Sequence, residues 1–406
     1  MRHKYLLFAV TLICMTATGQ HPFKYDHTVY KTAYLNEAFR LMDSMPNFLL
    51  LDVRSPGEYA DTGRATFGDI GRIRGSINIT IDSIPAHLAA LKKYINEPVF
   101  VYCSHSQRSR RVSKLLAENG FKHVYNINGG MSVVNESGIT SFPYKNKVLI
   151  TNLNYTNIAS TDAYDLIKST PDLVIIDIRT EQEFGSRDSV QANNIGRLKN
   201  AINIPQYVFA EKIDSWHIPK TSTILLYDLH GYNSMDVVDI LRKKGYTRIY
   251  NLYQGLEIFI NDHHLKNLIS PLIVEAPAYH LIDAKSGIDL LTGQPGLVIL
   301  DTRPLPEFTN TAALAYKNLG HIKNAVHIPS LDSLELAIQQ KNKADVFLVY
   351  GSGGDLATLV CQALIKKGYP NTYLLNRGLY DFVWSVANIE GCSTGKEFLA
   401  DHDGLY

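Results

Sequence analysis

Cys103 opens a run, Cys103-Ser104-His105-Ser106-Gln107-Arg108, that brings a thiol, hydroxyls, an imidazole and a guanidinium together within six residues. The run follows Val99 to Tyr102, an apolar stretch that reads as a buried strand. It precedes a segment that reads as a helix from Ser109. In an open α/β sheet, ligands bind beyond the carboxyl ends of the strands. A cysteine at that junction meets exposed backbone N–H groups and a helix N-terminus, and both stabilise an anion. Arg108, with Arg110 and Arg111 on the following turn, adds positive charge. A thiolate ringed by N–H donors is a sulfur nucleophile, and it can hold a terminal persulfide anion after taking up sulfur. His105 reads equally as a group that tunes Cys103 or touches a sulfur donor, and as a side chain facing solvent.

The elements that must position this loop occur three times. Leu49-Leu50-Leu51-Asp52-Val53-Arg54 recurs as Val174 to Arg179 and as Val298 to Arg303, with the aspartates 125 and 124 residues apart. Four residues past each arginine comes Glu58, Glu183 or Glu307. A block from Gly71 to Ile79 recurs from Gly196 and from Gly320. An apolar strand ends in Tyr102, Tyr227 or Tyr350, and the glycines Gly120, Gly245 and Gly368 follow at helix stops. Blocks kept in one order at one period mark a tandem array of small domains. Their short apolar runs read as strands buried on both faces, hence a parallel sheet covered by helices, an α/β doubly wound unit. Thr161-Asp162 reads as the cap of a helix starting at Ala163. The polar, Pro-containing stretches near 141–146 and 267–271 divide the chain into modules at 20–146, 147–270 and 271–406.

The sequence resembles the rhodanese (thiosulfate sulfurtransferase) family. The resemblance rests on the Asp-Val-Arg strand end, the Gly-x-Ile-x-Gly-Ser-x-Asn-Ile block, the Tyr-Cys-x-x-x-x-Arg-Ser loop and the Asn-Gly-Gly turn at Asn128, and covers nearly the whole chain as three modules. It implies that Cys103 is the sulfur acceptor, that the backbone of Ser104, His105, Ser106, Gln107, Arg108 and Ser109 forms its cradle, and that Arg108 is the loop arginine. A loop of six residues from cysteine to arginine belongs to the sulfurtransferases. Seven residues belong to the related phosphatases and arsenate reductases, so the resemblance disfavours oxyanion reduction or dephosphorylation. Ser106 stands where the family pattern has glycine, and Arg72 where it often has histidine. Ser106 bears on the loop if that position needs a positive φ.

The other two copies lack the chemistry. Asp228 and Asn233 replace the cysteine and arginine in the second, and Gly351 and Leu356 do so in the third. Asp228 repels an anionic sulfur donor. The glycine-rich loop Gly351-Ser352-Gly353-Gly354 reads either as an anion site or as a relaxed remnant. Asp52 and Arg54, with their counterparts and the three glutamates, persist in copies without a cysteine. They read as framework, with a supporting role near Cys103 open to Asp52 and Arg54.

Hydrophobic residues make up 45% of the chain, charged residues 19%, and the net charge is +1. That balance excludes the basic excess of a nucleic-acid binder. No internal apolar run reaches the roughly 20 residues of a membrane span. Arg2, His3 and Lys4, the apolar run from Tyr5 to Met15 and Ala17-Thr18-Gly19 read as an export signal over 1–19. Export implies a periplasmic location in a bacterium, with extracellular release or a lipid anchor as alternatives. Ile13 before Cys14 argues against a lipoprotein. Beyond the signal three cysteines remain, an odd number, so at least one thiol stays free. Cys361 reads as a core residue and Cys392 as an incidental thiol in a polar tail. His263-His264 is a pair without a third ligand, so neither a metal nor a cofactor is expected.

Two readings follow. One is an enzyme that moves sulfane sulfur from a thiosulfate-like donor through a Cys103 persulfide to a thiol or cyanide acceptor. The other is a low-turnover persulfide carrier serving a protein acceptor, or a scaffold.

Overall fold

The computed structural model describes residues 29–63, 66–353 and 355–402. The expected export signal and Cys14 lie outside the described residues. Among them, no helix is long and apolar enough to cross a membrane.

The first module shows how the sequence builds the unit. β1 (Lys31–Ala33), β2 (Leu49–Asp52), β3 (Ile77–Asn78), β4 (Pro98–Tyr102) and β5 (His123–Ile127) form one parallel sheet in the order β1-β5-β4-β2-β3. All four residues of β2 are buried, as an apolar run without alternation requires. Its side chains divide between two cores. Leu50, with Phe100 and Tyr102, packs against Phe39 of α1 (Leu35–Ser44) and Met131 of the helix Gly130–Glu136. Leu49 and Leu51, with Val99 and Val101, pack against Val112 and Leu116 of the helix that follows Cys103. Each fully buried Leu, Val or Phe contributes roughly 1.5–3 kcal/mol.

That helix is α2 (Gln107–Glu118), and it starts two residues before the expected Ser109. Its N-cap is Ser106, at φ 75°. α2 ends as the glycine signal predicts. Gly120 has φ 93° and donates to the Ala117 carbonyl, while Phe121 donates to Leu116, which closes a Schellman motif.

The second and third modules repeat the sheet order with strands Val174–Asp177 and Val298–Asp301 at the position of β2. Their helices depart from expectation at one end. The helix expected from Ala163 spans Ser160–Ser169, and neither Thr161 nor Asp162 caps it. Asp162 instead accepts from the Ile139 backbone N–H and pairs with Lys145, joining the first two modules.

Each module closes with a two-residue strand that returns antiparallel to its own Gly-x-Ile block. Leu149–Ile150 pairs with Arg72–Ile73, Ile273–Val274 with Arg197–Leu198, and Leu399–Ala400 with His321–Ile322. The chain therefore leaves the first two modules a few residues later than 146 and 270.

The modules close on one another. Arg110 of the first donates to the Ala387 carbonyl and Asn388 Oδ1 of the third. Arg377 of the third binds Glu257 and Gln254 of the second. Between them lies a chamber of about 750 Å³, with walls from all three modules.

Candidate active site

The loop after β4 is tied down from behind. The Cys103 carbonyl accepts from Met131 N at 2.9 Å, and the Ser104 carbonyl accepts from Ser132 N at 3.0 Å. A Cβ on Gly130, at φ 54°, would lie 2.1 Å from the Cys103 oxygen, so only glycine allows this approach. The same tie occurs in the other modules, from Leu256 to Asp228 and from Leu379 to Gly351. It is a property of the fold, and the chemistry depends on the residue it holds.

Ser106 meets its positive φ by a hydrogen bond. Its hydroxyl accepts from the Gly129 N–H at 2.6 Å, and the residue is buried. Ser109 then donates to the Ser106 carbonyl at 3.0 Å and to Asn126 Oδ1 at 2.6 Å. The hydroxyl that stands in for glycine is thus built into the loop wall.

Arg108 is aimed by Glu58. Its two terminal nitrogens meet the two carboxylate oxygens at 2.7 and 2.6 Å, and Nη2 also reaches Ser104 Oγ at 2.9 Å. Glu58 first, and then the charge of Cys103, raise the Arg108 guanidinium above its usual value. Burial alone would raise the Glu58 carboxyl, but Arg108 and the Ser55 N–H hold it down to about 2. The Glu58 pairing escaped sequence reading, which took the three glutamates as framework. Glu183 does keep to a capping role, through Thr180. No sequence signal set Glu58 apart, because all three copies keep the glutamate and Glu58 also caps its own helix at Ser55.

Asp52 and Arg54 form a fully buried pair at 2.7 Å, and Arg54 also binds the Gly71 carbonyl at 2.7 Å. Arg179 and Arg303 do the same with their own aspartates and with Gly196 and Gly320. Recurrence without a cysteine makes this pair a brace for the turn.

Arg110 does not add its charge to the loop as expected. It is buried, and it binds Asn128 and the C-terminus of the third module's helix Gly378–Asn388, where a cation is favoured. His105 and Gln107 form the loop's rim and line the central chamber. The His105 ring lies edge-on to Trp384 of the third module, 6.3 Å between centroids. Surrounding protein and then Arg108 keep its imidazole below the usual value.

Cys103, Cys361 and Cys392 are all free and buried. Cys361 sits in the core, and burial pushes its thiol up. Cys392 is not in a solvated tail. It packs with Val386 and Leu399, and burial pushes its thiol up to about 12.

The second module shows what this loop geometry is for. Asp228 takes the place of Cys103, and its carboxylate accepts backbone N–H groups from His230, Gly231, Asn233 and Ser234. Four donors converge on one anion. The expected repulsion of an anionic donor thus has a structural form: the site is already filled.

The Rhodanese-like domain family model matches residues 35–137, 160–262 and 284–383. The chain belongs to the rhodanese family. One relative, the uncharacterized protein YqhL of Bacillus subtilis, is 30% identical over 125 residues, 31% of this rhodanese and 85% of the relative. Thiosulfate sulfurtransferase GlpE of Coxiella burnetii is 28% identical over 110 residues, 27% of this chain and 91% of the relative. Thiosulfate sulfurtransferase PspE of Escherichia coli is 30% identical over 95 residues, 23% of this chain and 83% of the relative. A rhodanese-like domain protein from Staphylococcus aureus is a structural match at 27% identity, covering 25% of this chain and 87% of its own, with a TM-score of 0.21. Two of these relatives are thiosulfate sulfurtransferases.

Proposed function

We propose that this protein is a sulfurtransferase with one working site, in the first module, and that Cys103 carries the sulfur as a persulfide. The observation that carries the reading is the pair of loops. In the second module four N–H groups grip the Asp228 carboxylate, and the first module presents Cys103 at the same position, with Arg108 held by Glu58 on the same loop. The Cys103 thiolate attacks the outer sulfur of thiosulfate or another sulfane donor. The donor's S–S bond breaks, sulfite leaves with the bonding pair, and a Cys103 persulfide forms. An acceptor thiolate or cyanide then attacks the terminal sulfur and releases the Cys103 thiolate. The N–H groups and Arg108 face negative charge on sulfur at every stage, which is how preorganised donors accelerate a reaction.

Mass measurement after incubation with thiosulfate tests this. The wild type gains one sulfur atom and Cys103→Ser gains none. No gain from any sulfane donor overturns the proposal. Thiocyanate formation on adding cyanide separates an enzyme from a carrier.

A further inference from the structure

The central chamber is more than a gap between modules. The modules contribute their inward helices to it, Gly130–Glu136, Gly255–Asn261 and Gly378–Asn388. Its arginines and lysine are already engaged. Arg110 binds the Ala387 carbonyl, Arg377 binds Glu257 at 2.8 Å, and Lys285 pairs with Asp289.

Four carboxylates on its walls, Glu136, Asp262, Asp381 and Glu390, form no ion pair among the described residues, and of these Asp381 acts on Glu136. Among the described residues, Glu136 accepts only the neutral Gln254 amide. Asp381 takes no hydrogen bond from any described residue. Burial, and then the neighbouring Asp381, push Glu136 up to about 8, while burial pushes Asp381 up to about 6 against the pull of Arg377. Carboxylates that share one chamber, one raising the other, favour a cation between them.

Two further observations point to a ligand. Asn261 lines the chamber at 5% exposure, and neither its amide nitrogen nor its oxygen has a partner. A buried amide left unpaired costs free energy unless something in the chamber meets it. The walls also carry Tyr232, Tyr253, Tyr380 and Trp384, whose ring faces attract organic cations.

We propose that this chamber is the sulfur-acceptor site and that it selects a small acceptor bearing an ammonium group, held by Glu136 and Asp381 between the aromatic walls. The proposal rests on the sulfur-transfer reading given above for its acceptor role. His105 and Gln107 put the loop's rim in the same chamber, so an acceptor held there lies beside the loop that carries the persulfide. The two modules without a cysteine then have a task, because Asn261, Asp381 and Trp384 come from them.

The test uses the full chain loaded with sulfur from thiosulfate and freed of donor. Discharge is followed with cysteamine, 2-mercaptoethanol and mercaptoacetate, a cationic, a neutral and an anionic thiol, at rates expressed per thiolate. Cysteamine is expected to react at least tenfold faster than 2-mercaptoethanol, and mercaptoacetate more slowly than either. In Glu136→Gln/Asp381→Asn, checked for folding by its melting transition, the cysteamine to 2-mercaptoethanol ratio falls to about one. Choline, a quaternary ammonium without a thiol, is titrated against the unloaded protein with Trp384 fluorescence as the signal. It binds the wild type at least tenfold more tightly than the double variant. Equal rates for the three thiols, or equal choline binding by the two proteins, overturns the proposal. So does loss of the preference on adding a chelator, which would assign the carboxylates to a metal ion. A chain that takes up no sulfur refutes the sulfur-transfer reading instead, and the choline titration still decides whether the chamber selects cations.

Discussion

The loops of the first and second modules share an anchor and a residue at positive φ, and differ in what fills them. Both hang from a strand ending in tyrosine, and both are tied by a helix N–H to the carbonyl of their first residue. In the second, the Asp228 carboxylate occupies the N–H cradle permanently. In the first, the same position holds Cys103, the thiol proposed to take up and release a sulfur atom. On the proposed reading, anion binding comes from the loop, while turnover needs an anion that is reactive and a charge on the same loop. Arg108 and Glu58 supply that charge, and Asn233 cannot.

The sharpest way to break this comparison is to move the chemistry. Asp228→Cys alone is expected to gain no sulfur from thiosulfate, because the cradle then lacks its cation. Asp228→Cys/Asn233→Arg, with Glu183 in the place of Glu58, is expected to form a persulfide at position 228. Peptide mapping in a Cys103→Ser background reads both outcomes. A persulfide in the single variant would mean that N–H groups suffice and that Arg108 matters little.

The next effect is on the first module itself. Arg108→Ala should lower the rate of persulfide formation roughly a hundredfold, the scale of removing one preorganised donor. A stopped-flow measurement of loading checks it, and a loss under about threefold would contradict the role given to this side chain.

Glu58→Gln keeps the shape of the pair and removes its charge. It should slow loading about tenfold, the equivalent of roughly 1.4 kcal/mol. The pair also carries a pH signature. The Glu58 carboxyl sits at about 2 in the folded chain, below the roughly 4.3 of an unfolded glutamate. Stability from the pair is therefore present above the unfolded value and lost as pH falls through the folded one. Urea unfolding of the wild type and Glu58→Gln should differ by a constant amount from neutrality to about pH 5 and converge toward about pH 2. A difference that persists undiminished at the acid end would show that the carboxylate is not the source.

Much of this was readable in the chain. Leu49 to Asp52 announces a doubly buried strand, because no polar residue interrupts it before Asp52. Three copies in register announce three modules, and the absence of Cys and Arg from two of them isolates one loop. What stayed hidden depends on contacts between distant segments. Glu58 and Arg108 are 50 residues apart, and a capping box at Ser55 accounts for Glu58 locally just as well. Arg110 reaches across 278 residues to Asn388, so its position on α2 says nothing of its partner. Cys392 follows a glycine in a polar stretch, yet the third module's closing turn folds it into the core. The chamber has no signature in any single repeat, because each module supplies only one wall.

The smallest effect concerns Ser106, the one loop residue at odds with the family pattern. Its φ of 75° is a region where a side chain costs of order 1 kcal/mol or more, and glycine does not. Against that stands its hydrogen bond from Gly129, worth about 1 kcal/mol when buried. Ser106→Gly removes both terms at once. The expected change in unfolding free energy is therefore under about 1 kcal/mol in either direction, and the loading rate should stay within about threefold. Ser106→Ala removes the hydrogen bond and keeps the strain, so it should be the worse substitution by roughly 1–2 kcal/mol. If alanine proves no worse than glycine in urea unfolding, the positive φ carries no measurable cost in the first module, the hydroxyl has no strain to offset, and glycine at the same position of the second module, Gly231, gains nothing by it.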